Sequence, residues 1–321
     1  PWFMMVDEAA EGLPLLTELI KNPGEAKLPD DAAADDTFAI IYSSGTTGFP
    51  KGVMHAQKNF VLSGERHVAR VETQADDRVL CILPMFHINA LFYSVASAVT
   101  AGATLIIVPR FSASTFWRTA TDSGATQVNV IMAVSTILAR RSRDEFVPEH
   151  KLRVVNGAPF TQEAMDVFKN EFNVPTVIEG FGMTEIPGAF SNPCKGPHKV
   201  ACMGKLGVHA NPQVTWTQVR ILDDEGNDVP EGETGELAVK IPTLMQGYYK
   251  DPEQTAAAFR DGWFLSGDLI KRDSEGYYWF VARKKDIIRR RGENVAGAEI
   301  DRIVNLHPAV SESAAIAAES E

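Results

Sequence analysis

Cysteine is scarce in this chain. Cys81, Cys194 and Cys202 are the only three in 321 residues, and they lack paired spacing. That excludes a disulfide scaffold and offers no zinc signature. No apolar run reaches the length of a membrane helix. No basic start followed by an apolar segment marks a signal peptide. A broad basic surplus is missing too: 31 Lys and Arg face 42 Asp and Glu, for a formal net charge of −11. Nonspecific nucleic-acid binding is thereby disfavoured, and a reducing cytoplasmic setting is the expectation. What is present suits a globular chain: 45% apolar and 23% charged residues, with length enough for two or three domains. The chain opens on Pro1 without a methionine and closes in what reads as a strand just beginning. Both ends therefore read as cuts.

The stretch Ile40-Ile41-Tyr42-Ser43-Ser44-Gly45-Thr46-Thr47-Gly48-Phe49-Pro50-Lys51-Gly52-Val53 organises the rest. A hydrophobic strand runs into a loop of hydroxyls and glycines that ends in Pro-Lys-Gly. Its glycines permit tight curling, its donors form a nest for phosphate oxygens, and Lys51 adds a mobile charge. It is not a Walker A loop, because Pro50 precedes the lysine and Gly52 stands where Ser or Thr would bind Mg²⁺. An ordinary polar turn remains the alternative.

Beyond it the pattern predicts a helix over 57–70, a strand over 79–83, a helix over 91–100 and a strand over 103–108. A helix over 114–123 and a strand over 126–132 follow, then a strand over 152–155, a helix over 161–172 and a strand over 176–178. Alternating strands and helices mean layered α/β units. An earlier segment, 12–20, fits a short helix. Past Gly207, segments 214–222, 235–241 and 277–281 read as antiparallel hairpins of a small β module. Near 283–286 the texture changes again, with a strand at 287–288 and a helix over 296–306. The expected division is 1–283, made of α/β layers to 208 and a β-rich module from 209, then 284–321 as the start of a second domain.

Four further stretches could carry chemistry. His87, in Pro84-Met85-Phe86-His87, follows a strand end, where α/β proteins bind ligands; a buried structural histidine is the alternative. Glu179-Gly180-Phe181-Gly182-Met183-Thr184-Glu185 offers close approach, a flat aromatic face and hard oxygen donors of the kind Mg²⁺ takes, or it is a plain loop. Gly267-Asp268 could accept from a ribose diol, although Gly-Asp is a common turn. Arg283, across a hairpin, could reach the same sugar or a phosphate. For the basic run 283–291 the alternative is a solvated face.

Together these motifs resemble the adenylate-forming superfamily of acyl-CoA synthetases, luciferase-like enzymes and peptide-synthetase adenylation domains. The match covers Ser43–Gly52, Phe181–Glu185, Gly267-Asp268 and Arg283–Asp286, in the family's order. The resemblance implies an α/β fold with a small antiparallel module and a mobile C-terminal α+β domain. It implies that Ser43, Ser44, Gly45, Thr46, Thr47, Gly48 and Lys51 hold the ATP phosphates, with Glu185 on Mg²⁺ beside Thr184. Phe181 and the segment Gly157, Ala158 and Pro159 would bracket adenine, Gly180 and Gly182 would belong to the nucleotide site, and Asp268 with Arg283 would hold ribose. Lys285 falls at the hinge between half-reactions, Gly292-Glu293-Asn294 on a segment near the thiol route, and His87 at the gate between acid pocket and thiol tunnel. By family position Phe86, His87, Ile88, Ile131, Met132, Val134, Glu179 and Gly180 would line the acid pocket. Ile131-Met132-Ala133 departs from the family's usual Val-Pro-Thr.

The implied activity is an acid–thiol ligase that forms an acyl-adenylate with release of pyrophosphate and passes the acyl group to coenzyme A. Its partners are a carboxylic acid, ATP and coenzyme A, with no nucleic acid, no membrane span and a homodimer left open. The family's catalytic lysine lies in sequence that this chain does not contain. The pattern around Phe116-Trp117, Pro84–His87 and Arg289–Val295 looks most like carnitine/crotonobetaine-type CoA ligases. Two alternatives stand beside this: an adenylation domain loading a carrier-protein thiol, and a catalytically incomplete nucleotide-binding protein.

Overall fold

The computed structural model describes residues 31–43, 50–157, 159–197, 199–211, 213–290 and 293–316, the last range without 306, 308, 311 and 312. The predicted helix over 12–20 and loop residues 44–49 therefore lie outside the described residues, as do Ala158 and Gly292. The chain divides at Asp36–Thr37 into two units, and every element below belongs to the second, Thr37–Glu321.

A seven-stranded sheet carries the α/β part. Its order is Thr104–Ile107, Arg78–Cys81, Gln127–Asn129, Val154–Gly157 and Thr176–Phe181, all parallel, then Phe190–Ser191 and Lys205–Leu206 antiparallel. Strand order reverses beside Arg78–Cys81, so the loops after these strands form the crevice where such sheets take ligands. Leu80, Val128, Val155 and Val177 face a core shared with Phe116, Trp117, Phe160, Phe168 and Phe172. Two-sided burial explains why these strands read as continuous apolar runs.

A smaller antiparallel sheet joins Thr37–Ser43, Lys51–Ala56 and Gly247–Tyr248. The β module pairs Gln218–Leu222, Gly235–Lys240, Trp263–Arg272 and Phe259–Arg260, with Tyr278–Arg283 on the long strand. Ile287–Arg290 and Glu293–Ala296 form a hairpin before helix Gly297–Val304. No helix among the described residues is long and apolar enough to cross a membrane.

Several predicted elements shift. The strand expected over 126–132 ends at Asn129, and Met132–Arg140 is a helix. Ile, Met and Val there favour a strand by propensity, but Val134 and Leu138 repeat at helical spacing and bury together. The helix over 91–100 starts as a π turn at Asn89–Val95. The helix over 161–172 breaks into Gln162–Asp166 and a π turn, Val167–Glu171. The strand expected from Val214 begins only at Gln218.

Candidate active site

Strand Trp263–Arg272 alternates half-buried and buried residues through Ile270. Period two sends Phe264, Ser266, Asp268 and Ile270 to one side. The register that buries two hydrophobic side chains therefore also buries a carboxylate, and Asp268 is 0% exposed. Gly267 takes φ +72°, a conformation that glycine adopts without strain. Its N–H donates to Glu236 Oε1 at 3.2 Å. Arg283 is the register partner of Asp268 on the adjoining strand, with Nε 2.9 Å from Oδ1. That is ion-pair range, yet neither Asp268 oxygen accepts a hydrogen bond among the described residues. Burial pushes the Asp268 carboxyl up to about 6, Arg283 opposes, and Glu185 and Glu236 add to the rise.

Gly267 and Arg283 line a cleft of about 870 Å³ together with Ser43, Lys51, His87, Ile88, Phe181, Gly182, Thr184, Glu185, Glu236, Tyr248 and Lys285. Thr184 and Glu185 are held from behind. His55, fully buried, receives a hydrogen bond at Nδ1 from Asn59 Nδ2 at 2.9 Å. Its Nε2 therefore carries the proton and donates to the Thr184 carbonyl at 2.7 Å. Burial keeps His55 neutral, lowering its pKa to about 4. The Met245 N–H donates to the Glu185 carbonyl at 2.9 Å, and the Tyr248 hydroxyl donates to Glu185 Oε1 at 3.0 Å. Lys51 Nζ sits 4.9 Å from the Tyr248 ring centre. Lys284 Nζ lies 2.9 Å from both Glu236 and Asp224, pinning the turn that presents Lys285.

Ser43, Lys51, His87, Phe181, Gly182, Thr184, Glu185, Arg283 and Lys285 thus meet in one cleft, with Asp268 behind its wall. Other expected residues do not reach it. Gly157 faces Phe160 and Val130 in the core, Pro159 is exposed nearby, and Gly180 faces Arg70. Of the expected acid-pocket residues only His87 and Ile88 line the cleft. Val134 packs in the core. Glu179 is 0% exposed, its carboxylate accepting from the N–H groups of Phe160 at 2.7 Å and Ala201 at 3.1 Å. Phe86 is 80% exposed. Sequence reasoning missed His55, Glu236 and Tyr248, and gave Lys284 no role of its own within the Arg283–Asp286 match. For Tyr248 the faint signal was Gly247-Tyr248-Tyr249; for His55 and Glu236 no local signal exists.

No three His, Cys, Asp or Glu side chains cluster as a metal cage among the described residues. Glu185 and Thr184, lining the cleft together, instead fit Mg²⁺, which binds through one or two carboxylates plus substrate phosphates and water.

Comparison with known proteins supplies the context. A sulfoacetate–CoA ligase of Cupriavidus necator is 36% identical over 281 residues, 86% of this chain and 53% of that protein. A crotonobetaine/carnitine–CoA ligase of Escherichia coli is 31% identical over 315 residues, 95% of this chain and 59% of the relative. The O-succinylbenzoate coenzyme A synthetase of Bacillus subtilis, solved with ATP and magnesium, superposes with a TM-score of 0.81. It is 27% identical, over 96% of this chain and 64% of its own. The chain thus spans little more than half the length of these curated relatives. The sequence model of one family, AMP-binding enzyme, matches residues 4–249. That range takes in the strand before the loop, Thr184-Glu185 and Tyr248, and the chain belongs to the AMP-binding enzyme family.

Proposed function

We propose that the protein is an ATP-dependent carboxylate–CoA ligase that forms an acyl-adenylate and then a thioester. The observation that supports this most is Asp268, buried beside Arg283 with neither oxygen accepting a hydrogen bond among the described residues, behind the wall of a cleft that Arg283, Lys51 and Glu185 line. A carboxylate so placed accepts both hydroxyls of a ribose, and Arg283 offsets its charge.

The chemistry follows from charge. A carboxylate is a poor electrophile, so one of its oxygens attacks the α-phosphorus and the bond to pyrophosphate breaks. The thiol of coenzyme A then attacks the acyl carbon, and AMP leaves. Lys51 and Ser43 are placed to stabilise the phosphates preorganised at one end. Glu185, oriented by Tyr248, would hold Mg²⁺ with Thr184 beside it, and the ion would neutralise charge on the phosphates. His87 stands at the rim, where acid and thiol would meet. Lys285, on an exposed turn after the last strand of the β module, serves as the hinge between 1–283 and the segment from 284. A cytosolic setting belongs to the same reading and is supported by three free thiols.

A trimethylammonium acid is a narrower reading. Its support is the sequence pattern and the crotonobetaine/carnitine–CoA ligase relative. Part of that pattern, Phe116-Trp117, is core packing, so it says little about the pocket. The protein expressed from its complete reading frame is to be assayed for carboxylate-dependent release of pyrophosphate. Thioester formation without it would overturn the adenylate route.

A further inference from the structure

Helix Gln57–Val71 buries Asn59, Ser63, Gly64, Arg66, His67 and Val71, polar or small at all but the last. Arg66 is 3% exposed and His67 2%. Arg66 Nη2 donates to Ser191 Oγ at 3.1 Å. Its Nε, both Nε and Nη2 of Arg70, and His67 Nδ1 are buried without a hydrogen-bond partner among the described residues. Tyr93, Cys194 and Glu179 offset the Arg70 charge, but burial and Arg66 outweigh them. Glu179 is committed to two backbone N–H groups, and burial raises its pKa to about 7. Tyr93 accepts from the Gly188 N–H at 2.9 Å, and burial raises its phenol. The His67 and Tyr93 rings stack at 5.3 Å. Burial lowers Arg66 to about 10 and, with repulsion from Arg66, Arg70 to about 9.

The Tyr93 end of the cluster lies against the cleft wall at Gly182, with Arg70 behind Gly180. A Cβ on Gly180 would collide with Arg70 Nη2, and one on Gly182 would sit 2.7 Å from Tyr93 Oη. Gly182 itself lines the cleft. On the other side a Cβ on Gly207 would sit 2.7 Å from Arg66 Nη2. Guanidinium forks with free N–H groups in a dry site match planar or tetrahedral oxyanions, and without one they are buried charges left uncompensated.

We propose that Arg66 and Arg70 receive a second anionic group, a carboxylate or sulfonate, at the far end of the acid activated in the cleft. The substrate class is then a short dianionic acid. This rests on the ligase reading above. A trimethylammonium acid would instead bring a cation against two cations, so the two arginines select against it.

The test compares pyrophosphate release, by the protein from its complete reading frame, on succinate and 3-sulfopropionate against pentanoate and 4-(trimethylammonio)butanoate. A dianion exceeds both others in kcat/KM by about a hundredfold or more, as expected where a site's polar groups would otherwise stay unpaired. In Arg70→Gln the dianion-to-pentanoate ratio falls at least about tenfold, and Arg70→Lys recovers only part of it, since the fork is lost. Pentanoate or the ammonio acid as best substrate, or a ratio unchanged by Arg70→Gln, overturns the proposal. Should either variant fail to fold by circular dichroism, the acid series on the unmodified protein decides. If no acid releases pyrophosphate, the ligase reading fails separately, and calorimetry with succinate decides. Binding that Arg70→Gln or Arg70→Lys weakens upholds the anion site, and no binding to the unmodified protein removes it.

Discussion

Asp268 and Arg283 face each other directly across two antiparallel strands, with Nε 2.9 Å from Oδ1 and the carboxylate fully buried. Arg283 holds the charge without capturing either oxygen in a hydrogen bond. Hydrogen bonds to a charged group are worth about 1.5–3 kcal/mol. Asp268→Asn should therefore weaken AMP binding by about ten- to a hundredfold while leaving the fold intact. Calorimetric titration checks this; unchanged affinity would remove Asp268 from the nucleotide site.

The same burial gives a pH signature. Asp268 sits near 6 when folded, against about 4 in an unfolded chain. Between those values the native state holds a proton that the unfolded state has lost. Stability contributed by this group is therefore greatest below about pH 4 and declines as pH rises through about 6. Thermal melts of the parent and Asp268→Asn, compared pH by pH, should diverge across that window in the variant's favour as pH rises. AMP affinity runs the other way in the parent, falling as pH drops from 7 to 5, because the ionised form is the better acceptor. Parallel melting profiles would contradict the assignment.

Glu185 and Tyr248 make a second pair, joined across 63 residues by a 3.0 Å hydrogen bond. Tyr248→Phe removes the donor that orients Glu185 and should raise the KM for Mg-ATP by about tenfold, at a stability cost of about 1–3 kcal/mol. Glu185→Gln should depress Mg-dependent adenylation more severely and leave melting nearly unchanged. Pyrophosphate-release kinetics over a magnesium series separate the two. A Tyr248→Phe enzyme with parental magnesium dependence would reduce that hydrogen bond to a packing role.

Much of this site was legible in the sequence because its motifs are local. Thr184-Glu185 follows a buried strand within four residues, and Gly267-Asp268 sits in an alternating strand that any period-two reading finds. The contacts that orient those residues come from far along the chain. His55 reaches Thr184 across 129 residues and Lys284 reaches Glu236 across 48, and spacing cannot reveal either. Misreadings came where propensity opposed packing. The strand expected over 126–132 took in Ile131 and Met132, but Met132 opens a helix that buries Val134 and Leu138 on one face. Glu179 looked like a pocket residue beside the glycines, yet strand alternation sends it into the protein to bind two backbone amides.

Lys285 lies in a single 3₁₀ turn, Lys284–Asp286, between the last strand of the β module and the hairpin Ile287–Arg290. Lys284 on one side is tied to Glu236 and Asp224, while Lys285 has, among the described residues, a single long ion-pair contact of 3.8 Å to its neighbour Asp286 and is half exposed. On the hinge reading proposed above, rotation about this turn would leave the β module unchanged. Proline fixes φ near −65°, so Lys285→Pro would restrict that rotation. In the protein from its complete reading frame, adenylate formation should persist and thioester formation should fall by at least about tenfold, as expected where a conformational step separates two half-reactions. Pyrophosphate exchange reads the first step and thioester release the second. Equal losses in both would place Lys285 in the chemistry of the cleft and not at its hinge.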